Sequence, residues 1–297
     1  MKCNTVVMVK QVPDTSNISG EVMRPDGTVN RGKLPTIFNP DDRVALELAL
    51  RVRDRFGGKV TALTMGPPKA AELLRDCLYM GADDACLITD RKFGGADTLA
   101  TSYILSEAIK KLGRFDLIFA GRQAIDGDTA QVGPQTAEKL GIPQITNAQE
   151  IIDLEEDKIV VKRSIDGGYE ILESTMPLLI TVLLEAATPR PFKATRLMAL
   201  KNARTRIELG AMSEASASAE ALDRLVGAYA EKGLYIQTLD REDLGVELER
   251  CGIQGSPTKV HKVESVVLSG EGHQQFPPTA EGIGSLLDSL IADSFFG

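Results

Sequence analysis

The sequence predicts an α/β protein with a doubly wound, mostly parallel sheet, a β-hairpin excursion and an extended C-terminal arm. Short, almost continuously apolar segments such as 5–9 and 116–120 alternate with helical patterns through the first half. Such segments are typical of strands that are buried on both faces of a sheet. A hairpin pattern follows residue 157, and the last third of the chain loses the regular alternation.

The first half consists of repeated strand–helix units. The most regular helix is 40–56, in which apolar residues recur every four positions from Val44 to Phe56. Asn39 or Asp41 can cap its first turn. The predicted elements are strand 5–9, helix 40–56, strand 59–65, helix 69–80, strand 85–89, helix 97–112 and strand 116–120. Right-handed crossovers between such strands place helices on both faces of the sheet.

The second half begins with a β-hairpin. Residues 158–163 and 169–173 are rich in β-branched and aromatic residues and flank Asp166-Gly167-Gly168. Residues 178–183 then resume a buried strand, which we expect to close the sheet.

The chain beyond Ala186 contains one amphipathic helix, at 219–231, and few apolar residues for a core of its own. It must therefore pack on the main domain or embrace a partner. We predict a ligand-binding α/β domain at 1–187 and a partner-contacting segment at 188–297.

The composition excludes several classes of protein. The net charge of −8 argues against a nucleic-acid-binding protein. No apolar run is long enough for a transmembrane segment and no signal peptide precedes the first strand, so we expect a cytoplasmic protein. The four cysteines are scattered, which indicates buried thiols and no metal site. His261 and His273 are the only histidines, and we identify no catalytic residue.

The most informative segment is Gly121-Arg-Gln-Ala-Ile-Asp-Gly-Asp-Thr-Ala-Gln-Val-Gly-Pro134. It joins the predicted strand 116–120 to a helical pattern at 136–140. A turn that opens a helix presents unpaired backbone N–H groups at the positive end of the helix dipole. Such a turn suits a phosphate or pyrophosphate.

An ordinary turn of an α/β domain could contain the same residues without any ligand. The segment is neither a Walker loop nor a GxGxxG fingerprint. Asp126 and Asp128 would repel a phosphate that they faced, so we expect them to cap the helix, hold ribose hydroxyls or face solvent; Thr129 is another candidate cap. The loops after parallel strands meet at one edge of the sheet, which favours a phosphate site here.

A basic segment interrupts the overall acidity. Residues 189–207 contain six Lys or Arg residues and no acidic residue. A solvated surface and a docking site for an acidic partner are both compatible with this pattern.

Five motifs occur in a characteristic order: Lys10-Gln-Val-Pro-Asp14, Asn39-Pro40, Met65-Gly-Pro-Pro68, Met80-Gly-Ala-Asp83 and Gly121-Arg-Gln-Ala-Ile-Asp126. With Gly255-Ser-Pro-Thr-Lys-Val260, they resemble the β subunit of electron transfer flavoproteins from about residue 4 to residue 262. The resemblance implies a heterodimer with a larger α subunit, which carries electrons from a dehydrogenase, of the acyl-CoA type, through bound flavin to another protein. Residues 1–187 would then hold the nucleotide or flavin, and 188–297 would form the docking loop and an arm around the α subunit.

The resemblance also implies residue roles. The positions that line the adenosine pocket are Met8, Lys10, Asn39 and Met65. The positions that cradle phosphate are Gly121, Ala124, Gly127, Thr129, Ala130, Gln131 and Val132. Their neighbours Gly66, Asp126 and Asp128 complete the predicted cofactor-binding set. The dehydrogenase-docking candidates are Arg190, Phe192, Lys193, Arg196, Leu197 and Lys201, in a segment that does not match the family cleanly.

The identity of the bound nucleotide depends on a distinction within the family. Ordinary members hold structural AMP in the β subunit, and electron-bifurcating members hold a second FAD there. Two runs, Asp126-Gly-Asp-Thr-Ala-Gln-Val132 and Gly94-Gly-Ala-Asp-Thr-Leu-Ala-Thr101, resemble the bifurcating group, in which Thr98 and Thr101 would reach the flavin ring. This resemblance implies FAD, NADH as electron donor and ferredoxin or flavodoxin as a low-potential acceptor.

Other functions remain open at this point. The chain could be an ordinary β subunit with AMP, with Thr98 capping a helix and Thr101 packing. It could also be an adenine-nucleotide hydrolase or adenylating enzyme, although no general base, phosphate-binding lysine or metal-ligand set is evident. Whether the chain is itself an enzyme stays open, since an electron-transfer subunit can work without catalysing a reaction on its own. In the bifurcating case it would belong to an NADH-dependent flavin oxidoreductase complex.

Overall fold

The computed structural model describes residues 2–14, 35–212, 218–258 and 274–293. Both histidines lie outside the described residues. The strands are β1 (Thr5–Met8), β2 (Gln11–Pro13), β3 (Thr36–Phe38), β4 (Val60–Met65), β5 (Asp84–Ile88), β6 (Leu117–Gly121), β7 (Gln144–Leu154), β8 (Lys158–Ile165), β9 (Gly168–Thr175), β10 (Leu178–Val182), β11 (Arg204–Thr205) and β12 (Tyr235–Leu239). The helices are α1 (Pro40–Phe56), α2 (Ala71–Met80), α3 (Thr98–Leu112), α4 (Val132–Leu140), α5 (Ala194–Leu200), α6 (Arg206–Gly210), α7 (Ala219–Glu231), α8 (Arg241–Leu244) and α9 (Ala280–Ala292).

One large sheet organises the chain. Its strand order is β11-β12-β5-β4-β1-β6-β10-β7-β8-β9, and β2 pairs separately with β3. All neighbours from β11 to β7 are parallel, whereas β8 and β9 extend the sheet as an antiparallel hairpin. The predicted α/β class and mostly parallel sheet are confirmed.

The sheet is buried on both faces. Alternate residues of a strand point to opposite sides, and β1 shows this clearly. Val7 belongs to the core cluster that includes α1 and α2, whereas Val6 and Met8 belong to a second cluster that includes α3. This burial explains why the parallel strands have almost continuous apolar sequences.

Helix α1 begins and ends where its sequence predicts. Pro40 occupies the first turn, Asp41 and Asp42 follow it, and Arg53 and Arg55 lie in the last turn. Proline suits the first helical position, and the charges complement the helix dipole at both ends. The helix therefore forms a stable support beneath the carboxyl ends of β1 and β6.

Strand β10 does not close the sheet, so this expectation is wrong. It lies between β6 and β7. The sequence of β7 gave no strand signal because two register shifts in its pairing with β8 break the alternation of apolar residues.

The segment after residue 188 contributes to the same sheet, because β12 pairs with β5 and β11 pairs with β12. Residues Met1–Val260 accordingly form one compact unit. Residues His261–Gly297 form a second unit, whose helix α9 carries exposed apolar side chains such as Ile283 and Ile291. That residues 188–297 contact a partner stays a prediction.

In the described residues, no helix is both long enough and apolar enough to cross a membrane.

Candidate functional site

A cavity of about 930 Å³ lies at the carboxyl ends of β1, β4, β5 and β6. The strand order reverses between β1 and β6, and ligands of open α/β sheets bind outside such a reversal. Four segments line the cavity, at 8–10, 65–68, 89–101 and 120–133. The loops after these strands thus converge at one edge of the sheet.

The cavity brings together every predicted cofactor-binding residue except Asn39. These residues are Met8, Lys10, Met65, Gly66, Thr98, Thr101, Gly121, Ala124, Asp126, Gly127, Asp128, Thr129, Ala130, Gln131 and Val132. Their role in cofactor binding stays a prediction.

Asn39 is fully buried and holds the loop after β6 in place. Its Nδ2 donates to the carbonyl of Gln123 at 2.8 Å, and its Oδ1 accepts from the N–H of Ile125 at 3.2 Å. The side chain makes no capping bond to α1, although Asn39 is the residue that precedes the helix. An amide carries both a donor and an acceptor, so it can satisfy two opposite backbone groups of one turn.

Asp42 is a member of the site that the sequence analysis missed. It lines the cavity and is 7% exposed. Its Oδ2 accepts from the N–H of Lys10 at 2.8 Å, and its Oδ1 accepts from the N–H of Gly121 at 3.0 Å. The carboxylate therefore joins the ends of β1 and β6. In the sequence it resembles an ordinary acidic residue in a first helical turn, and this concealed its role.

Burial raises the pKa of Asp42 to about 7, although hydrogen bonds from Asn39, Gly121 and Lys10 act in the opposite direction. The packing around this carboxyl is tight. A Cβ at Gly121 would lie 2.5 Å from Oδ1 of Asp42 and 2.6 Å from Cβ of Asp41. Only glycine allows this close approach.

The two acidic side chains of the loop after β6 each have a partner within the protein. Asp126 pairs with the ammonium group of Lys10, with distances of 2.7 and 2.8 Å to its two oxygens. Asp128 accepts from Nε2 of Gln123 at 3.1 Å. Asp128 and Ala130 have φ of 48° and 52°, a left-handed conformation that costs non-glycine residues about 1–2 kcal/mol each. Strained residues of this kind cluster at ligand sites.

Helix α4 begins at Val132, and Gln131 precedes it without a side-chain capping bond. The expectation that Asp128 or Thr129 caps this helix is therefore wrong, because Gln131 is the residue that directly precedes the helix. As a consequence, the backbone from Gly127 to Gln131 is exposed at the cavity.

Asp97 caps helix α3 and ties it to a distant segment. Its carboxylate accepts from the N–H of Ala100 and from the N–H of Thr258, each at 3.0 Å. Burial disfavours the charge, yet these hydrogen bonds lower the pKa of Asp97. Thr258 also lines the cavity, and it was missed because no local signal links it to a helix 161 positions away.

The hydroxyl of Thr98 donates to Oε1 of Gln131 at 2.9 Å. Since Asp97 caps α3, capping does not explain Thr98. Both Thr98 and Thr101 line the cavity at the positive end of this helix.

Two of the predicted docking residues make internal contacts. Arg190 donates to Glu47 through Nε and to Asp54 through Nη1, both at 2.8 Å. Arg196 donates to the carbonyls of Leu78 and Ala82 at the end of α2. The basic segment is thus not only a solvated surface.

The other docking candidates are exposed. Phe192 is 40% exposed and meets the edge of Tyr79 at 5.7 Å between ring centres. Lys193, Leu197 and Lys201 are also exposed around α5. That these residues dock a dehydrogenase stays a prediction.

The described residues contain no group of three or more His, Cys, Asp or Glu side chains that could hold a metal ion. All four cysteines are free and buried. Burial raises the thiol pKa of Cys3 and of Cys86 to about 12, so neither is a ready nucleophile.

Comparison with known proteins agrees with this geometry. The profile of the electron transfer flavoprotein domain matches residues 26–224. The chain is 39% identical to the electron transfer flavoprotein subunit beta of Clostridium acetobutylicum, over 98% of this chain and 99% of that protein. It is 45% identical to the acryloyl-CoA reductase electron transfer subunit gamma of Anaerotignum propionicum, over 96% and 97% of the two chains. It is 40% identical to the caffeyl-CoA reductase-Etf complex subunit CarD of Acetobacterium woodii, again over 96% and 97%.

Proposed function

The chain belongs to the electron transfer flavoprotein family as a β subunit, and on this premise we propose that its cavity holds FAD. The supporting observation is that one cavity is lined both by the exposed backbone of 127–131 and by the first turn of α3, which Thr98 and Gln131 join. Its volume of about 930 Å³ lies near the top of the range of small-molecule sites, about 300–1,000 Å³. A dinucleotide suits this volume better than AMP does.

The residues of the cavity fit the parts of such a ligand. A Cβ at Gly127 would meet no protein atom within 4 Å, so the backbone there is open to a diphosphate. Backbone N–H groups before α4 supply donors, as helix N-termini do for phosphate. Met8 and Met65 provide apolar surface for adenosine, and Thr98 and Thr101 add hydroxyl groups to the lining of the cavity.

Bound FAD would supply hydride and single-electron transfer, which require no catalytic acid or base from the protein. The chain's own task is to bind and to orient. Asn39 and Asp42 fix the loop that faces the diphosphate. The N-terminus of α3 places its positive dipole end beside Thr98 and Thr101, where negative charge is stabilised.

We propose further that the chain works in a heterodimer with an α subunit. The complex takes electrons from NADH and delivers them to ferredoxin or flavodoxin and to an acyl-CoA type dehydrogenase. Two relatives support a partner of this type, since their names assign them to acryloyl-CoA and caffeyl-CoA reductase systems. The basic segment with Lys193 and Lys201 is the candidate docking surface.

The second candidate function is an ordinary β subunit that holds AMP. The cavity would accept AMP as well, but AMP would fill less of its volume than FAD would. The candidate hydrolase has no support in the described residues, where no metal-ligand group accompanies the cavity.

The experiment is to denature the purified heterodimer and identify the released cofactors by chromatography and mass. Two FAD and no AMP per dimer, with reduction of the intact complex by NADH, are expected. One FAD and one AMP would contradict FAD in this subunit. Release of no nucleotide from this subunit would contradict both candidate functions.

A further inference from the structure

We propose that binding of a dinucleotide in this cavity is coupled to the uptake of one proton by Asp42. The inference rests on the proposed function, since it concerns the same cavity. It adds that occupancy of the site responds to pH.

The Asp42 carboxylate is buried and is held by hydrogen-bond donors that carry no charge. It is 7% exposed and accepts hydrogen bonds from the N–H groups of Lys10 and Gly121 and from the side chain of Asn39. These donors are neutral. In the part of the chain that the structure describes, no Lys or Arg side chain pairs with Asp42.

The groups around Asp42 on the neighbouring elements do not offset its negative charge. Asp41 precedes it on α1 and raises its pKa, and the thiol of Cys77 faces it from α2. Strands β1 and β6 present only backbone N–H groups to it. The ammonium group of Lys10 pairs with Asp126, Arg122 acts on Asp41, and Arg43 acts on Asp76. Burial therefore leaves the pKa of Asp42 at about 7, close to protonation.

Asp42 differs in its environment from the other carboxylates that line the cavity. Asp126 is ion-paired, Asp97 has a lowered pKa and Asp128 is exposed to solvent. Asp90 caps a short turn at Lys92. Solvent screens exposed charges, whereas a buried charge feels an added anion in a medium of lower dielectric constant. An incoming diphosphate therefore raises the pKa of Asp42 more than it raises the pKa of the other carboxylates.

Protonation of Asp42 accompanies entry of the diphosphate. A proton from solvent adds to one oxygen of Asp42, and the buried negative charge disappears as the diphosphate enters. The carbonyl oxygen of the acid still accepts one backbone N–H, and the hydrogen bond from the other backbone N–H to the protonated oxygen weakens. No electron is transferred.

The pH dependence follows from linkage. Because binding raises the pKa of Asp42, the complex holds more protons than the free protein near neutrality, and affinity falls as pH rises above 7. The expected loss is up to about tenfold per pH unit. Below the pKa of the free protein, where Asp42 is already protonated, affinity becomes independent of pH.

The test is calorimetric titration of the nucleotide-depleted heterodimer with FAD, whose diphosphate is a diester and does not titrate near neutrality. Binding heats in buffers of different ionisation enthalpy report the protons taken up. At pH 7.5 we expect about half a proton or more per β-subunit site. Asp42→Asn should abolish this uptake. Asp157→Asn, the same change at an exposed carboxylate in the turn between β7 and β8, away from the cavity, should keep it.

A second measurement needs no variant. The infrared difference spectrum, bound minus free, should gain a protonated-carboxyl band at pH 7.5 in the wild-type heterodimer. Binding of FAD without proton uptake, or with uptake that persists in Asp42→Asn, would overturn the coupling and leave the FAD site intact. Failure of FAD to bind would instead overturn the proposed function, and the coupling with it.

Discussion

Gly121 and Gly127 lie in the same loop but are glycines for different reasons. At Gly121 a Cβ would collide with Asp41 and Asp42, so the protein itself requires glycine. At Gly127 a Cβ would meet no atom within 4 Å, and its φ is not one that demands glycine. We infer that the second glycine serves the ligand.

The first prediction concerns Gly127. Gly127→Val should empty the nucleotide site of this subunit and leave its stability within about 0.5 kcal/mol, because Gly127 lines the cavity and a Cβ there would meet no protein atom within 4 Å. Nucleotide content and urea unfolding of the purified heterodimer measure the two effects. The matched control is Gly168→Val in the exposed hairpin, where a Cβ is equally unhindered. Wild-type nucleotide content in Gly127→Val would refute the idea.

The second prediction concerns Gly121. Gly121→Ala should destabilise the fold by about 1–3 kcal/mol, as overpacking of a close-packed interior does. The neighbouring atoms include the backbone of Asp41, which cannot move aside as a flexible side chain can. Denaturant unfolding tests this, and unchanged stability would show that α1 moves freely relative to β6.

The loop residues that the sequence singled out line the cavity, whereas Asp42 and Thr258 also line it and were missed. The loop signal is local, since a strand, a glycine-rich turn and a helix follow one another directly. The roles of Asp42 and Thr258 depend on partners that are far away along the chain, Gly121 and Asp97. Side-chain periodicity contains no information on such pairs.

At the scale of elements, α1 acts as a hub. Its buried Glu47 accepts from Arg190 in the segment before α5, and Arg51 pairs with the same carboxylate. Burial alone would raise the pKa of Glu47, but the hydrogen bonds from Arg190 and Arg51 lower it. This network fixes the start of the basic segment on the main domain.

The third prediction follows from this network. Arg190→Ala should destabilise the protein by about 2–3 kcal/mol, somewhat less than a fully buried pair, because Arg51 remains. Since the pKa of Glu47 is lowered on folding, its contribution is present above the unfolded-state pKa and is lost as pH falls below about 4. Unfolding by urea at pH 7 and at pH 3 measures both effects. An equal difference between wild type and variant at the two pH values would contradict the assignment.

The fourth prediction separates docking from stability. Lys193→Glu with Lys201→Glu should slow electron transfer with the dehydrogenase at low salt, because both side chains are exposed and opposite charge steers association. Added salt should reduce the difference from wild type. Stability should not change, in contrast to Arg190→Ala. Wild-type rates of the variant at low salt would show that the two lysines take no part in docking.

Regular elements were predicted better than irregular ones. The bounds of α1 and α7 agree with the sequence patterns because caps and periodicity coincide there. Strands β7 and β12 were missed for physical reasons. β7 contains register shifts, and β12 is a short edge-side strand whose partner, β5, lies far back in the sequence.

At the scale of the whole molecule, the described residues between 189 and 258 complete the core of the first compact unit. Ile236 and Leu239 of β12 and Leu209 of α6 are buried. The segment therefore packs on the main domain, one of the two arrangements that its composition allowed.

The fifth prediction uses this distinction. A chain that ends at Val260, the limit of the compact unit, should unfold as cooperatively as the full chain. A chain that ends at Ala187 should be much less stable, since it uncovers the edge of β5 and the core beneath β12. Circular dichroism during thermal unfolding compares the two. Co-purification with the α subunit should be weaker for the Val260 chain if the last unit holds the partner; full retention would assign that role elsewhere.

The bond between Asp97 and Thr258 has a consequence for biosynthesis. Thr258 lines the cavity and is synthesised 161 positions after Asp97, the capping residue of α3 that it contacts. At about 5–20 residues per second, the nascent chain spends roughly 8–30 seconds with Asp97 made and Thr258 absent. The contact that ties Thr258 to the start of α3 therefore forms only when most of the chain has been synthesised, and a chain that stalls earlier lacks it.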